Sequence, residues 1–274
     1  LATKTLFLLL LITIHFGFIT YPASAQRYEG EMAPWEAADK LFPKYAKFTV
    51  IDMETGLKFR VQRRAGSRHA DVQPLTSRDT AIMKKIYNNE WSWKRRSIYV
   101  QNGKRTVAAS MNGMPHGAGA LKNNFPGHFC IHFYKSSTHS KREMDLSHKL
   151  MVYKAAKKTD ELFAKADPYE IVAYFIAGIK EHDKRIVQQL SLDKAKWDAA
   201  FDKIEAVKIA RLPILPTEDM GEDLLISIPI DIEWHIKDAG KQLAKTEMIL
   251  FRDAPFGYWR VDSIDFLNKN HLLP

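Results

Sequence analysis

The chain has 274 residues, with 41 Lys and Arg against 32 Asp and Glu, and a single cysteine, Cys130. That length admits one large domain or two ordinary ones with a real core, and the lone cysteine excludes an internal disulfide. The formal charge of +9 suits long-range attraction to an anionic polymer, and the lack of a basic repeat or RNA motif argues against nucleic acid as a partner.

Residues 1–25 carry the three parts of a secretory signal: Lys4, an apolar run from Leu6 to Thr20, and the small triplet Ala23-Ser24-Ala25. The run is shorter than the ~20 residues of a spanning helix. The expectation is a cleaved leader, a secreted protein, and contact with the membrane only during export. Residues 26–45 read as an N-terminal segment with a short helix around Trp35–Leu41. Phe48–Asp52 and Leu57–Val61 flank Glu54-Thr55-Gly56, and Leu57, Phe59 and Val61 alternate with polar residues, which predicts a hairpin with one buried face. Arg63, Arg64 and Arg68 then precede His69 in an expected loop ending at Pro74. Thr76 followed by Asp79 predicts a helix start. Ile98–Val100 and Thr106–Ala108 around Asn102-Gly103 predict a second hairpin. A helix is expected from about Asp145 to Phe163.

The pattern then changes. Asp167-Pro168 with Glu170 has the form of a capping box with proline at the first helical position. Ile171, Val172, Phe175, Ile176 and Ile179 share one face of that helix. A second helical stretch covers Asp193–Ile204. Ile226 to Trp234 alternates apolar and polar, which predicts a long strand, with Pro229 at an edge or bulge. Met248–Phe251 and Tyr258–Ile264 read as two more strands. Helices followed by antiparallel strands make an α+β unit, with a boundary near residue 165.

The chemistry concentrates in Ser110–Gly119 and Asn123–Phe133. These stretches hold Cys130, His116, His128 and His132 among closely spaced glycines and prolines, which mark the tight loops that usually display catalytic groups. If residues 128–133 are extended, His128, Cys130 and His132 share one face and Phe129, Ile131 and Phe133 the other. An imidazole beside a thiol either takes its proton or, as imidazolium, stabilises the thiolate. A metal centre from His69 and Asp71 with His128 or His132 is a second possibility for the same residues. An inert packed cysteine is a third. Arg64 and Arg68 could hold a substrate carboxylate, and Trp91 and Trp93 could stack on a sugar ring.

His116-Gly117, a loop, and then His128-Phe129-Cys130-Ile131 resembles the L,D-transpeptidase (YkuD-type) catalytic domain, in which His-Gly precedes a His-Gly-Cys element. Gly127, Phe129 and His132 depart from that pattern. Papain-like and NlpC/P60-type enzymes place cysteine before histidine, and sortases separate the pair further. The last third of the chain resembles the NTF2-like fold, on Pro168–Phe175 and Gly257–Ile264. The resemblances imply an α+β chain with a β-rich L,D-transpeptidase-like domain over 46–165 and an NTF2-like helix-plus-antiparallel-sheet domain over 166–274. They imply acyl transfer on peptidoglycan stem peptides, with Cys130 as nucleophile and His116 as base. Gly117 would hold the site through its backbone, His128 would orient it, and His132 would stand in for a missing arginine. No metal or organic cofactor is implied, and the partner would be peptidoglycan or an anionic wall polymer. The alternatives are a non-catalytic wall-binding module and a metal-dependent wall peptidase.

Overall fold

The computed structural model describes residues 28–137, 144–213 and 222–273, so the predicted leader lies outside the described residues. Among those described, no helix is long and apolar enough to cross a membrane. The chain is mixed α/β with antiparallel sheets: a closed six-stranded barrel, and a curled four-stranded sheet with helices.

After α1 (Trp35–Leu41), the barrel is built from β1 (Lys47–Asp52), β2 (Lys58–Ala65), β3 (Ala70–Pro74), β4 (Arg96–Asn102), β5 (Arg105–Met111) and β6 (Phe129–His132), in the order β1-β2-β3-β6-β5-β4. Strand alternation decides its two faces. Phe59 and Val61, Ala70 and Val72, Ile98 and Val100, Val107 and Ala109, and Phe129 and Ile131 enter one apolar core. Their neighbours His69, Asp71, Ser97, Ser110, Cys130 and His132 therefore lie on the outer face, yet all are buried. The cover over part of that face is α3 (Leu146–Ala155), which packs on β4 and β5. Ser97, Ser110 and His132 of the outer face meet that helix, through Met151 and His148.

α2 (Ser77–Ile86) starts as its sequence predicts, with Thr76 accepting from Asp79 N. The segment expected as a loop from Arg63 to Pro74 is instead the end of β2, a tight turn and β3. Arg63 is interior: it donates to the carbonyls of Phe42 at 2.7 Å and Gly66 at 2.6 Å. The single helix expected from Asp145 to Phe163 is broken into α3 and α4 (Thr159–Phe163), with Lys157 between them at φ +57.

α5 (Pro168–Lys180) carries the full capping box between Asp167 and Glu170. α6 (Lys184–Gln189) follows, and α7 spans only Trp197–Lys203, shorter than expected. β7 (Ile204–Arg211), β8 (Leu225–Ile236) and β9 (Gly240–Phe251) form the sheet with the short β10 (Arg260–Val261). Ile228, Ile230, Ile232 and Trp234 of β8 face a core shared with α5, α7 and parts of α3 and α4. Pro229 lies beyond the last β7 pair, Arg211 with Asp231, so β9 alone flanks it among the described residues. The strand expected over Tyr258–Ile264 is reduced to two residues because Asp262 caps α8 (Ser263–Lys269), accepting from Asp265 N.

Polar contacts tie the barrel to the helices that follow it. Lys154 of α3 is 5 % exposed and reaches Glu54 at 2.9 Å and also Asp183. Arg95 N donates to Glu181 Oε2 at 2.6 Å.

Candidate functional site

Two segments with little regular structure of their own are clamped together beside β6. His116 N donates to His128 O and His128 N to His116 O, both at 2.9 Å, an isolated two-bond antiparallel pairing. Glycine makes the approach possible. Gly127 has φ +118, and a Cβ there would stand 2.5 Å from His116 O. Gly117 has φ +60, and a Cβ there would stand 2.4 Å from His128 Cε1. Both positions use backbone that L side chains avoid. The buried Gln73 of β3 fixes the loop from below, donating to Gly127 O at 2.8 Å and accepting from Ala120 N at 2.9 Å.

This clamp sets His116 against the cysteine. His116 Nε2 lies 3.2 Å from Cys130 Sγ, and His116 Nδ1 lies 2.9 Å from Met114 O. A carbonyl can only accept, so the ring proton of neutral His116 sits on Nδ1 and the Nε2 lone pair faces the thiol. Burial lowers the His116 pKa, against an opposing pull from the Met114 carbonyl. Cys130 is 5 % exposed. Burial, and then the charge of Asp71, push its thiol well above the ordinary range. Both shifts favour the uncharged pair, with the Nε2 lone pair of His116 facing the thiol.

Asp71 is the hub of the cluster because β3 and β6 pair Asp71 directly with Cys130. Its Oδ1 lies 3.1 Å from His69 Nε2, 3.8 Å from Cys130 Sγ and 3.9 Å from His128 Nε2. His69 Nδ1 lies 2.9 Å from Ser137 O, and His128 Nδ1 lies 3.0 Å from Ala118 O. The His116 and His128 rings meet edge to face at 4.6 Å.

His132 points from the cysteine toward α3. Its ring lies between His69, centroids 4.5 Å apart, and His148, 3.8 Å apart. His148 Nδ1 in turn meets Ser110 Oγ at 2.9 Å. Burial, reinforced by His148, His69 and Arg95, drives the pKa of His132 well below the usual value, and burial, reinforced by Arg95, His69 and Lys180, does the same to His148. The expected replacement of an arginine by His132 calls for a positive charge, and burial works against one at this position.

Two donor sets have the proximity a soft divalent ion needs: His69, Cys130 and His132, and His116, His128 and Cys130, each with ligand atoms within 4.8 Å of one another. The alternative trio of His69 and Asp71 with His128 or His132 is neither of these sets: Asp71 belongs to neither, and Cys130 is common to both.

The two substrate arginines are not drawn into the cluster by any contact among the described residues. Arg64 donates to Gln62 Oε1 at 2.7 Å and covers the Tyr45 ring. The Arg68 carbonyl accepts from Ser137 N. Trp93 does reach the site: it is 50 % exposed and its ring is 5.2 Å from that of His116. Trp91 instead packs edge to face on Phe125. The place of Asp71 opposite Cys130 is not signalled by its sequence neighbours, because it is a matter of strand register. His148 gave no sequence signal of any kind. No protein-family model matches the chain, and no curated protein sequence matches it.

Proposed function

We propose that the protein is an exported cysteine acyltransferase of the L,D-transpeptidase type, acting on peptidoglycan stem peptides at the cell wall. The observation that carries this reading is the 3.2 Å approach of His116 Nε2 to Cys130 Sγ, with the other ring nitrogen committed to Met114 O. That is the arrangement of a general base and its nucleophile. As Sγ attacks the carbonyl before a terminal residue, its proton passes to His116 Nε2. The C–N bond then breaks, the leaving amine takes that proton, and a thioester remains on Cys130. An acceptor amine or water attacks the thioester with His116 again as base and frees the thiol. Asp71 faces the imidazolium formed in between, and Gly117 and Gly127 keep His116 and His128 in register. Trp93 offers an exposed aromatic surface beside the reacting pair.

Two observations favour other readings. The buried, protonated thiol would also suit an inert residue in a wall-binding module, and the two donor sets would suit a metal-dependent peptidase. Turnover of a stem tetrapeptide, measured with and without a chelator and with a thiol-alkylating reagent, separates the three. The acyltransferase keeps its rate in chelator and loses it on alkylation of Cys130. Loss in chelator alone would favour the peptidase, and no turnover with an unreactive thiol would favour the binding module.

A further inference from the structure

The side chains at the centre of the proposed reaction also meet the requirements of a metal site. His116, His128 and Cys130 each offer one ligand atom, and the three atoms lie within 4.8 Å of one another. In a tetrahedral zinc site, with Zn–N of ~2.0–2.1 Å and Zn–S of ~2.3 Å, neighbouring ligand atoms stand about 3.3–3.6 Å apart. His116 Nε2 and Cys130 Sγ are 3.2 Å apart, so seating an ion against both asks for only a few tenths of an ångström more.

Both imidazoles are already in the ligating form. His116 Nδ1 lies 2.9 Å from Met114 O, and His128 Nδ1 lies 3.0 Å from Ala118 O. A carbonyl only accepts, so in each neutral ring the proton is on Nδ1 and the lone pair on Nε2. A backbone carbonyl on the far nitrogen is a usual support of a metal-bound histidine. Asp71 Oδ1 stands 3.8 Å from Sγ and 3.9 Å from His128 Nε2. Its charge lies just outside the three ligands, and carboxylate and thiolate together balance a divalent ion. His116 and His128 are both partly exposed, so an ion meets this trio from solvent. The other donor set, His69, Cys130 and His132, is buried throughout. There His69 Nε2 is held 3.1 Å from Asp71, and His132 is wedged between the His69 and His148 rings.

We propose that His116, His128 and Cys130 bind one soft divalent ion of the zinc class, and that the bound ion holds the enzyme inactive. The inactivation rests on the reading of Cys130 as nucleophile and His116 as base. On binding, the Cys130 thiol releases its proton to solvent and Sγ bonds the ion. His116 Nε2 and His128 Nε2 give their lone pairs, and water leaves the hydrated ion, with no change of oxidation state. The ion then occupies both the sulfur that would attack and the nitrogen that would take the proton. A chelator reverses the step and returns thiol and base. The same ligands with an open fourth position would serve a metallopeptidase, and the direction of the effect on turnover separates the two.

The test titrates Zn²⁺, and Co²⁺ as its coloured stand-in, into the full chain and into His128→Ala, Cys130→Ser and His132→Asn. One ion per chain is expected, with a thiolate-to-cobalt charge-transfer band, displacement of cobalt by zinc, and protection of Cys130 from alkylation until chelator is added. His128→Ala and Cys130→Ser should weaken binding by at least the ~10–100-fold that loss of an outer-shell partner costs, and a folded His132→Asn should bind unchanged. Turnover of a stem tetrapeptide should fall as zinc fills the site and return with chelator. Cobalt–thiolate absorption and protection of Cys130 in a protein without turnover would uphold the metal site and sink the acyltransferase reading, so the two fail separately. No cobalt–thiolate band, binding unchanged in His128→Ala, binding lost in a folded His132→Asn, or turnover that rises with zinc would overturn the proposal.

Discussion

His116 and Cys130 form an uncharged pair, and that fixes the pH behaviour of the proposed reaction. The base works only while Nε2 is unprotonated, and burial lowers its pKa. The acid limb of kcat/KM should therefore fall below about 6.5, the ordinary histidine value, and no alkaline thiolate limb should appear in the physiological range because the thiol is raised. Cys130→Ser should leave no measurable turnover in a folded protein, and His116→Ala should lower kcat/KM by ~10²–10⁴-fold. A rate that climbs with pH above 8 in step with thiol ionisation would contradict the neutral pair. The pairing of these two residues was legible in the sequence as a clustered thiol and imidazoles. Asp71 was legible only as a metal-ligand candidate, since what brings it to Cys130 is the register of β3 against β6.

Among elements, the clamp between the His116 and His128 segments depends on glycine rather than on side-chain packing. Gly127→Ala places a Cβ 2.5 Å from a backbone oxygen at φ +118, a strain of about 1–3 kcal/mol. Thermal denaturation should show a clear drop in Tm. Gly56→Ala, at φ +68 with nothing within 4 Å of the added carbon, should cost less. Equal shifts in the two would mean the close approach is not needed. Elements with local signatures were readable in advance: the Thr76 cap, the Asp167–Glu170 box, and the alternation of β8. The closing strand was not, because Asp262 both ends the ladder and caps a helix. Nor was the break between α3 and α4, where Lys157 takes left-handed backbone without a glycine to announce it.

At the scale of the whole molecule, the outer barrel face and α3 bury the stacked pair His132 and His148. Buried His132 and His148 resist protonation in the fold, whereas in the unfolded chain they titrate near 6.5. The unfolded state then binds more protons as pH falls, so their contribution is fully present above about 6.5 and is lost progressively as the pH drops below it toward the folded values. Each can add up to about 1.4 kcal/mol per pH unit to the acid loss of stability. Urea unfolding between pH 7.5 and 5.5 should show this slope, and His148→Asn should flatten it. A pH-independent midpoint would mean that His132 and His148 are not held from protonation by the fold. Composition and strand patterning made the α+β class readable. The placement of the cluster under α3 was not, because His148 lies on a helix whose burial is nearly all-round and whose sequence therefore lacks a polar face.

In the proposed reaction Cys130 carries the acyl group, which intact-mass analysis and peptide mapping after incubation with a stem tetrapeptide or a carbapenem would detect. One acyl adduct is expected on Cys130, absent in Cys130→Ser and lost or greatly slowed in His116→Ala. A folded wild-type protein that turns substrate over with Cys130 never modified, or that retains activity as Cys130→Ser, would contradict it.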